Sequence, residues 1–143
     1  MLSNSSKYAL TAVLYLAVNS SFEHKILAKD ISKETQIPQA YLSKLMQELT
    51  RHNLISSVRG PNGGFYLNEE NREVSLLEIV NIIDGDNRLT SCMLGLHSCN
   101  SDHPCPVHHL VGDTKTKFVE NLKKTTVQDL VADIKMGKSF LGI

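Results

Sequence analysis

Apolar residues recur along the first half of the chain with a helical period that then shortens to a strand-like one. Tyr8, Ala9, Leu10, Ala12, Val13, Leu14, Leu16 and Ala17 follow a run of N-cap residue types, Ser3 to Ser6, and predict a buried helix. A polar turn, Asn19 to Lys25, leads to the short amphipathic stretch 26–33, with Leu27 and Ile31 on one face. Gln36-Ile37-Pro38 breaks that pattern, and proline suits a first helical turn because its missing N–H costs nothing there. Tyr41, Leu42, Leu45, Met46 and Leu49 then return at helical spacing, opposite a face of Gln39, Ala40, Ser43, Lys44, Gln47 and Arg51. This helix, spanning Pro38–His52, ends at His52-Asn53. Residues 54–58 and 65–67 predict two strands joined by the turn Arg59-Gly60-Pro61-Asn62-Gly63-Gly64.

Helix, helix, tight turn, helix and β-hairpin, in that order, describe a winged helix-turn-helix. Beyond it, Ser75-Leu76-Leu77-Glu78 is a capping box that opens a helix through Ile83, closed near Gly85. Residues 86–106 are irregular and hold all three cysteines. From Val107 a long helical pattern runs to about Lys124, with Val107, Val111, Thr114, Phe118 and Leu122 near the spacing of a narrow seam. Thr126 to Asp129 opens a last short capped helix. The expected fold is mainly α with a small hairpin wing and a long C-terminal dimerisation helix. It divides into a DNA-binding unit, 1–85, a cysteine-rich loop, 86–106, and a dimerisation helix with its C-terminal segment, 107–143.

A length of 143 residues and a 41% hydrophobic share suit one compact domain with an appended element. No apolar run approaches the roughly 20 residues of a membrane helix, so no membrane span is expected. Residues 8–18 after Lys7 faintly resemble a signal peptide, but a single basic residue makes the buried helix the better reading. A cytoplasmic protein follows, in which an odd number of clustered cysteines is not a disulfide framework.

The formal net charge is zero, yet it conceals a split: residues 1–67 sum to +3 and residues 68–143 to −3. The basic half carries the chemistry for double-stranded DNA. A helix fits the major groove, and Gln39, Ser43, Lys44 and Gln47 supply groups for base edges or phosphates. Pro38 and Tyr41 stand at the helix start, where the phenol can reach a phosphate. Arg59, Gly60 and Pro61 sit where a wing tip enters the minor groove, and glycines 60, 63 and 64 permit close backbone approach.

The second constellation is Cys92-x6-Cys99-x5-Cys105-x2-His108. Thiolates with imidazole are ligands for zinc or for an iron–sulfur cluster. Structural zinc usually uses a tight pair of cysteines two to four residues apart, and none exists here. The wider gaps favour a two-iron or four-iron cluster, with zinc and a metal-free thiol switch ranked behind it. His103 and His109 are alternative ligands to His108. Neither a phosphate-binding glycine loop, nor G-x-S-x-G, nor H-E-x-x-H occurs in the chain, and an enzyme is not the expected class.

The run Val58-Arg59-Gly60-Pro61-Asn62-Gly63-Gly64-Phe65-Tyr66-Leu67, the opening Lys7-Tyr8-Ala9-Leu10 and the three cysteines after the fourth predicted helix resemble the BadM/IscR/NsrR family of bacterial regulators. The likeness runs from Leu2 to about Asp129. It implies a homodimeric winged-helix repressor on a pseudo-palindromic operator, with Cys92, Cys99 and Cys105 as cluster ligands. His108 matches the histidine of IscR-like members, which implies [2Fe–2S] ahead of [4Fe–4S] and a response to iron–sulfur, redox or nitric oxide status. Lys7 stands where NsrR-like members can place an acidic ligand, which also favours the two-iron form.

Overall fold

The computed structural model describes residues 2–143. Helix α1 (Asn4–Asn19) begins where the Ser3 hydroxyl accepts a hydrogen bond from the Ser6 amide at 3.0 Å. Its buried face is Ala9, Ala12, Val13, Leu16 and Ala17, the three-and-four spacing that puts residues on one side of a helix. Helix α2 (Ala28–Thr35) buries Ile31, but Leu27 does not share that face. Leu27 is the extended N-cap residue and is 43% exposed, while Ile26 beside it is buried and bridges to Phe65. Of the expected pair, Ile31 is buried and Leu27 is not, because the chain is still extended at Leu27.

Gln36, in the left-handed conformation at φ 59°, closes α2, and the Ser32 hydroxyl donates to the Ile37 carbonyl at 2.5 Å. These contacts fix the turn into α3 (Gln39–Arg51), with Pro38 and His52 as its caps. Leu42, Leu45, Met46 and Leu49 are buried, whereas Tyr41, counted with them by period, is exposed. The hairpin pairs β1 (Ser56–Val58) with β2 (Gly64–Tyr66), Ser56 opposite Tyr66 and Val58 opposite Gly64. Leu54, Ile55 and Leu67, expected within the strands, flank the ladder and enter the core.

A four-residue helix that periodicity does not announce, α4 (Glu69–Arg72), follows the hairpin. Asn68 and Asn71 cap it reciprocally, and buried Asn71 also donates to the Asn53 carbonyl at 3.0 Å while accepting from Ser56 at 2.7 Å. Helices α5 (Leu76–Asp84) and α7 (Val127–Lys135) both open with capping boxes, Ser75 with Glu78 and Thr126 with Asp129. Their starts lie side by side, since Leu76 N–H donates to the Thr125 carbonyl and Val127 N–H to the Val74 carbonyl, each at 3.0 Å. Between them α6 (His108–Lys124) spans about 25 Å at 1.5 Å per residue. Along its expected seam Leu122 is buried, Val107, Val111 and Phe118 are half-buried, and Thr114 is exposed. Leu122, Val127 and Val131 join the same core as α1 and α5, so the chain's end returns to the winged-helix unit.

Candidate nucleic-acid interface and metal centre

Two groups of residues stand out, one on α3 and the hairpin, the other in the loop between α5 and α6. On α3 the apolar stripe anchors the helix and leaves Gln39, Lys44 and Gln47 exposed, with Ser43 half-buried beside them. Three donors or acceptors and one cation in under three turns can read base edges or hold phosphates. Arg51 is not free on that face: its guanidinium lies 2.6 Å from the Glu48 carboxylate, and His52 Nε2 is 3.3 Å from it. The Arg51 hydrogen bond is the main reason that the Glu48 carboxyl sits below its ordinary range. Tyr41 shares a hydrogen bond with the Ser5 hydroxyl of α1, and its ring meets Tyr8 edge-on at 5.6 Å. The phenol expected at a phosphate thus also clamps the start of α3 onto α1.

In the hairpin turn Arg59, Gly60, Pro61 and Asn62 are all exposed. Gly60 adopts φ 109°, a conformation that side chains resist. Gly63 is required by space instead, since a Cβ there would lie 2.2 Å from the Val58 carbonyl oxygen. Lys25 is a basic residue that the sequence did not single out. Its ammonium donates to the Phe22 carbonyl at 2.5 Å and sits 4.3 Å from the Phe22 ring centroid and 5.7 Å from that of Tyr66, at the end of β2. Its two aromatic neighbours come from the turn and from β2, a pairing that local spacing does not announce.

In the loop, the three cysteine sulfurs all lie within 4.8 Å of one another. Cys92 Sγ is 3.7 Å from Cys105 Sγ, and Cys99 Sγ is 3.2 Å from His108 Nδ1. Two thiolates on one tetrahedral metal, with bonds of about 2.3 Å, stand about 3.8 Å apart, so the first pair already has ligand spacing. His108 is the first residue of α6, which fixes its ring at the loop's end. The ring of His109 meets it edge-on at 5.3 Å, while His97 and His103 are exposed. Asn100 shapes the loop by accepting from the amides of Asp102 and His103 at 2.9 and 2.8 Å. Lys115 of α6 donates to the carbonyl of Ser91, immediately before the first cysteine.

The Cys92 thiol is lowered to about 7, first by the Leu96 amide and then by the Leu94 amide and the neighbouring thiols. A thiol in that range supplies the thiolate a metal needs at neutral pH. Cys99 moves the other way: the Cys105 amide, at 3.4 Å, pulls its thiol down, but burial and the adjoining thiols together push it above its usual value. A cavity of about 510 Å³ opens over the sulfurs, lined by Leu89, Met93, Val107 and Val111 on one hand and by Asp113, Lys115 and Glu120 on the other. A soft sulfur and imidazole donor set suits zinc or an iron–sulfur cluster rather than a hard cation.

Comparison with known proteins bears on the family and the fold. The Rrf2 family model, described as an iron-dependent transcriptional regulator, matches residues 2–133. The HTH-type transcriptional regulator IscR of Escherichia coli O1:K1 is 33% identical over 130 residues, 91% of this chain and 79% of that one. Among solved structures, CymR, the global cysteine regulator of B. subtilis, superposes with a TM-score of 0.74 at 23% identity, over 92% of this chain and 96% of that one. IscR of T. potens gives 0.73 at 23% identity, over 98% and 92%. These two likenesses carry the fold.

Proposed function

The chain belongs to the Rrf2 family of transcriptional regulators, and from that premise we propose that it is a homodimeric repressor in the cytoplasm whose operator binding is controlled by an iron–sulfur cluster. The observation that carries the reading is the meeting of three cysteine sulfurs and the His108 ring at the junction of loop and α6. Gln39, Ser43, Lys44 and Gln47 take the base edges and nearby phosphates of the major groove, with Pro38 and Tyr41 setting the helix entry. Arg59, Gly60 and Pro61 reach the minor groove. A two-fold dimer through α6 places two recognition helices about one helical turn, roughly 34 Å, apart on a pseudo-palindrome.

Cys92, Cys99, Cys105 and His108 would hold the cluster. Cys92 stands beside Cys105 and Cys99 beside His108; the match of His108 to the histidine of IscR-like members is what favours [2Fe–2S] over [4Fe–4S]. When bound, such a cluster supplies iron whose ligation answers to redox state, nitric oxide or iron–sulfur supply. The chain supplies the route from that loop to DNA. Asp84, two residues before the loop begins, is bonded to Ser3 at the start of α1. Ser5 on the same helix turn is bonded to Tyr41 of α3. A change in the loop is therefore felt at the recognition helix as a shift between two arrangements of the dimer.

Protein purified without oxygen is the test. A brown sample with iron and acid-labile sulfide in near-equal amounts supports the reading. A colourless sample with one zinc per chain supports the second reading, a zinc-stapled site, which the mutual closeness of all three sulfurs also suits.

A further inference from the structure

We propose that Asn62, at the tip of the wing, is a self-modification site that deamidates to aspartate or isoaspartate, and that the charge so created weakens the hold on DNA. The consequence rests on the wing reading above; the modification itself does not.

Asn62-Gly63 is the one Asn-Gly pair in the chain. In the reaction the Gly63 amide nitrogen attacks the side-chain carbonyl carbon of Asn62. A C–N bond forms, ammonia leaves, and a succinimide ring closes. Water then opens the ring at either carbonyl, giving aspartate or isoaspartate, with no oxidation or reduction. A side chain on the following residue would shield that nitrogen, and glycine leaves it open.

The fold prevents relief at position 63. A Cβ on Gly63 would stand 2.2 Å from the Val58 carbonyl oxygen and 2.9 Å from that of Gly60, both backbone atoms that cannot swing aside. The turn thus needs glycine directly after an exposed asparagine. The Gly63 N–H donates to the Gly60 carbonyl at 2.9 Å, and this bond must open before the ring can close. It lies in an exposed turn flanked by a ladder of three residue pairs, the kind of segment that opens locally without global unfolding.

Either product places a carboxylate three positions from Arg59. Near DNA that charge repels phosphate and offsets the guanidinium, as any added anion at a phosphate-facing surface does. Isoaspartate also lengthens the backbone by one methylene inside the turn that presents Arg59.

The test uses the full chain aged in mildly alkaline buffer at physiological temperature, with peptide mapping by mass spectrometry and isoaspartyl methyltransferase labelling. Binding to a random-sequence DNA duplex at low salt is measured for fresh protein, aged protein, Asn62→Asp and Asn62→Ser. The expected result is conversion at Asn62 and several-fold weaker binding by aged protein and Asn62→Asp, with Asn62→Ser equal to fresh protein and immune to ageing. Retention of Asn62 in the folded chain while the urea-unfolded chain converts would overturn the inference. So would Asn62→Asp binding as tightly as fresh protein. If fresh protein holds no duplex, the DNA reading of the wing falls and the consequence falls with it.

Discussion

Ser3 and Asp84, 81 positions apart, join the N-cap of α1 to the last residue of α5: the Ser3 amide donates to the Asp84 carboxylate at 3.3 Å, and the Ser3 hydroxyl donates to its other oxygen. A carboxylate at the start of α1 also complements the positive end of that helix. Burial works to raise the Asp84 carboxyl, but the Ser3 hydroxyl and amide and the Arg88 charge outweigh it and hold it below its ordinary value of 3.8. A carboxylate depressed in the folded state stabilises the fold above its unfolded value and ceases to do so as pH falls through its folded value. Asp84→Asn is expected to lower stability at neutral pH by about 1 kcal/mol, or roughly 3 °C in Tm. The gap to the parent protein should close as pH drops below the ordinary carboxylate range. Thermal unfolding by circular dichroism across pH reads both.

Gly63→Ala forces a Cβ onto the Val58 carbonyl oxygen at 2.2 Å. The hairpin must shift, at a cost of about 1–3 kcal/mol. The strain is confined to the turn, so Tm should fall by several degrees while the helical circular dichroism signal is retained, and DNA affinity should fall with the displaced wing. Unchanged melting and binding would refute the steric account.

Arg59→Ala removes an exposed cation at the wing tip without touching the core. If Arg59 meets phosphate, affinity for a random duplex drops several-fold, and the slope of log affinity against log salt falls by about 1. Fluorescence anisotropy over a salt series gives both quantities, and equality with the parent protein would sink the role.

Cys99→Ala and His108→Ala separate the two members of the 3.2 Å pair. Loss of the cysteine should abolish iron and sulfide retention after anaerobic reconstitution. Loss of the histidine should leave a coloured protein with an altered absorption envelope and faster bleaching in air, because three thiolates still converge. Full retention by Cys99→Ala would remove that residue from the ligand set.

Much of this was readable from the residues. The capping box at Ser75 and Glu78 and the glycine-rich turn at 60–64 are local signals, and the elements stand where those signals place them. The spacing of Cys92, Cys99, Cys105 and His108 implied a common site, and their sulfurs and ring nitrogen are close together. Helix α4 was not legible, because four residues hold no apolar period and its cap uses asparagine at both positions. Leu27 misled because Ile26 and Leu27 are both large and apolar; only the bridge from Ile26 to Phe65 decides which one is buried. The link from Ser3 to Asp84, and that from Ser5 to Tyr41, are long-range contacts with no trace in local spacing. They connect the end of α5 to α3 through the start of α1, and periodicity is blind to them.

Occupancy of the cysteine loop is proposed to govern operator binding. Cluster-loaded and cluster-free protein should each be used to select duplexes from a random pool, with affinities then measured on the winners. The expected outcome is a two-fold symmetric motif, with half-sites about one helical turn apart, held at least tenfold more tightly by one form than by the other. Equal affinity of both forms for the same motif, or no motif with either, would contradict it.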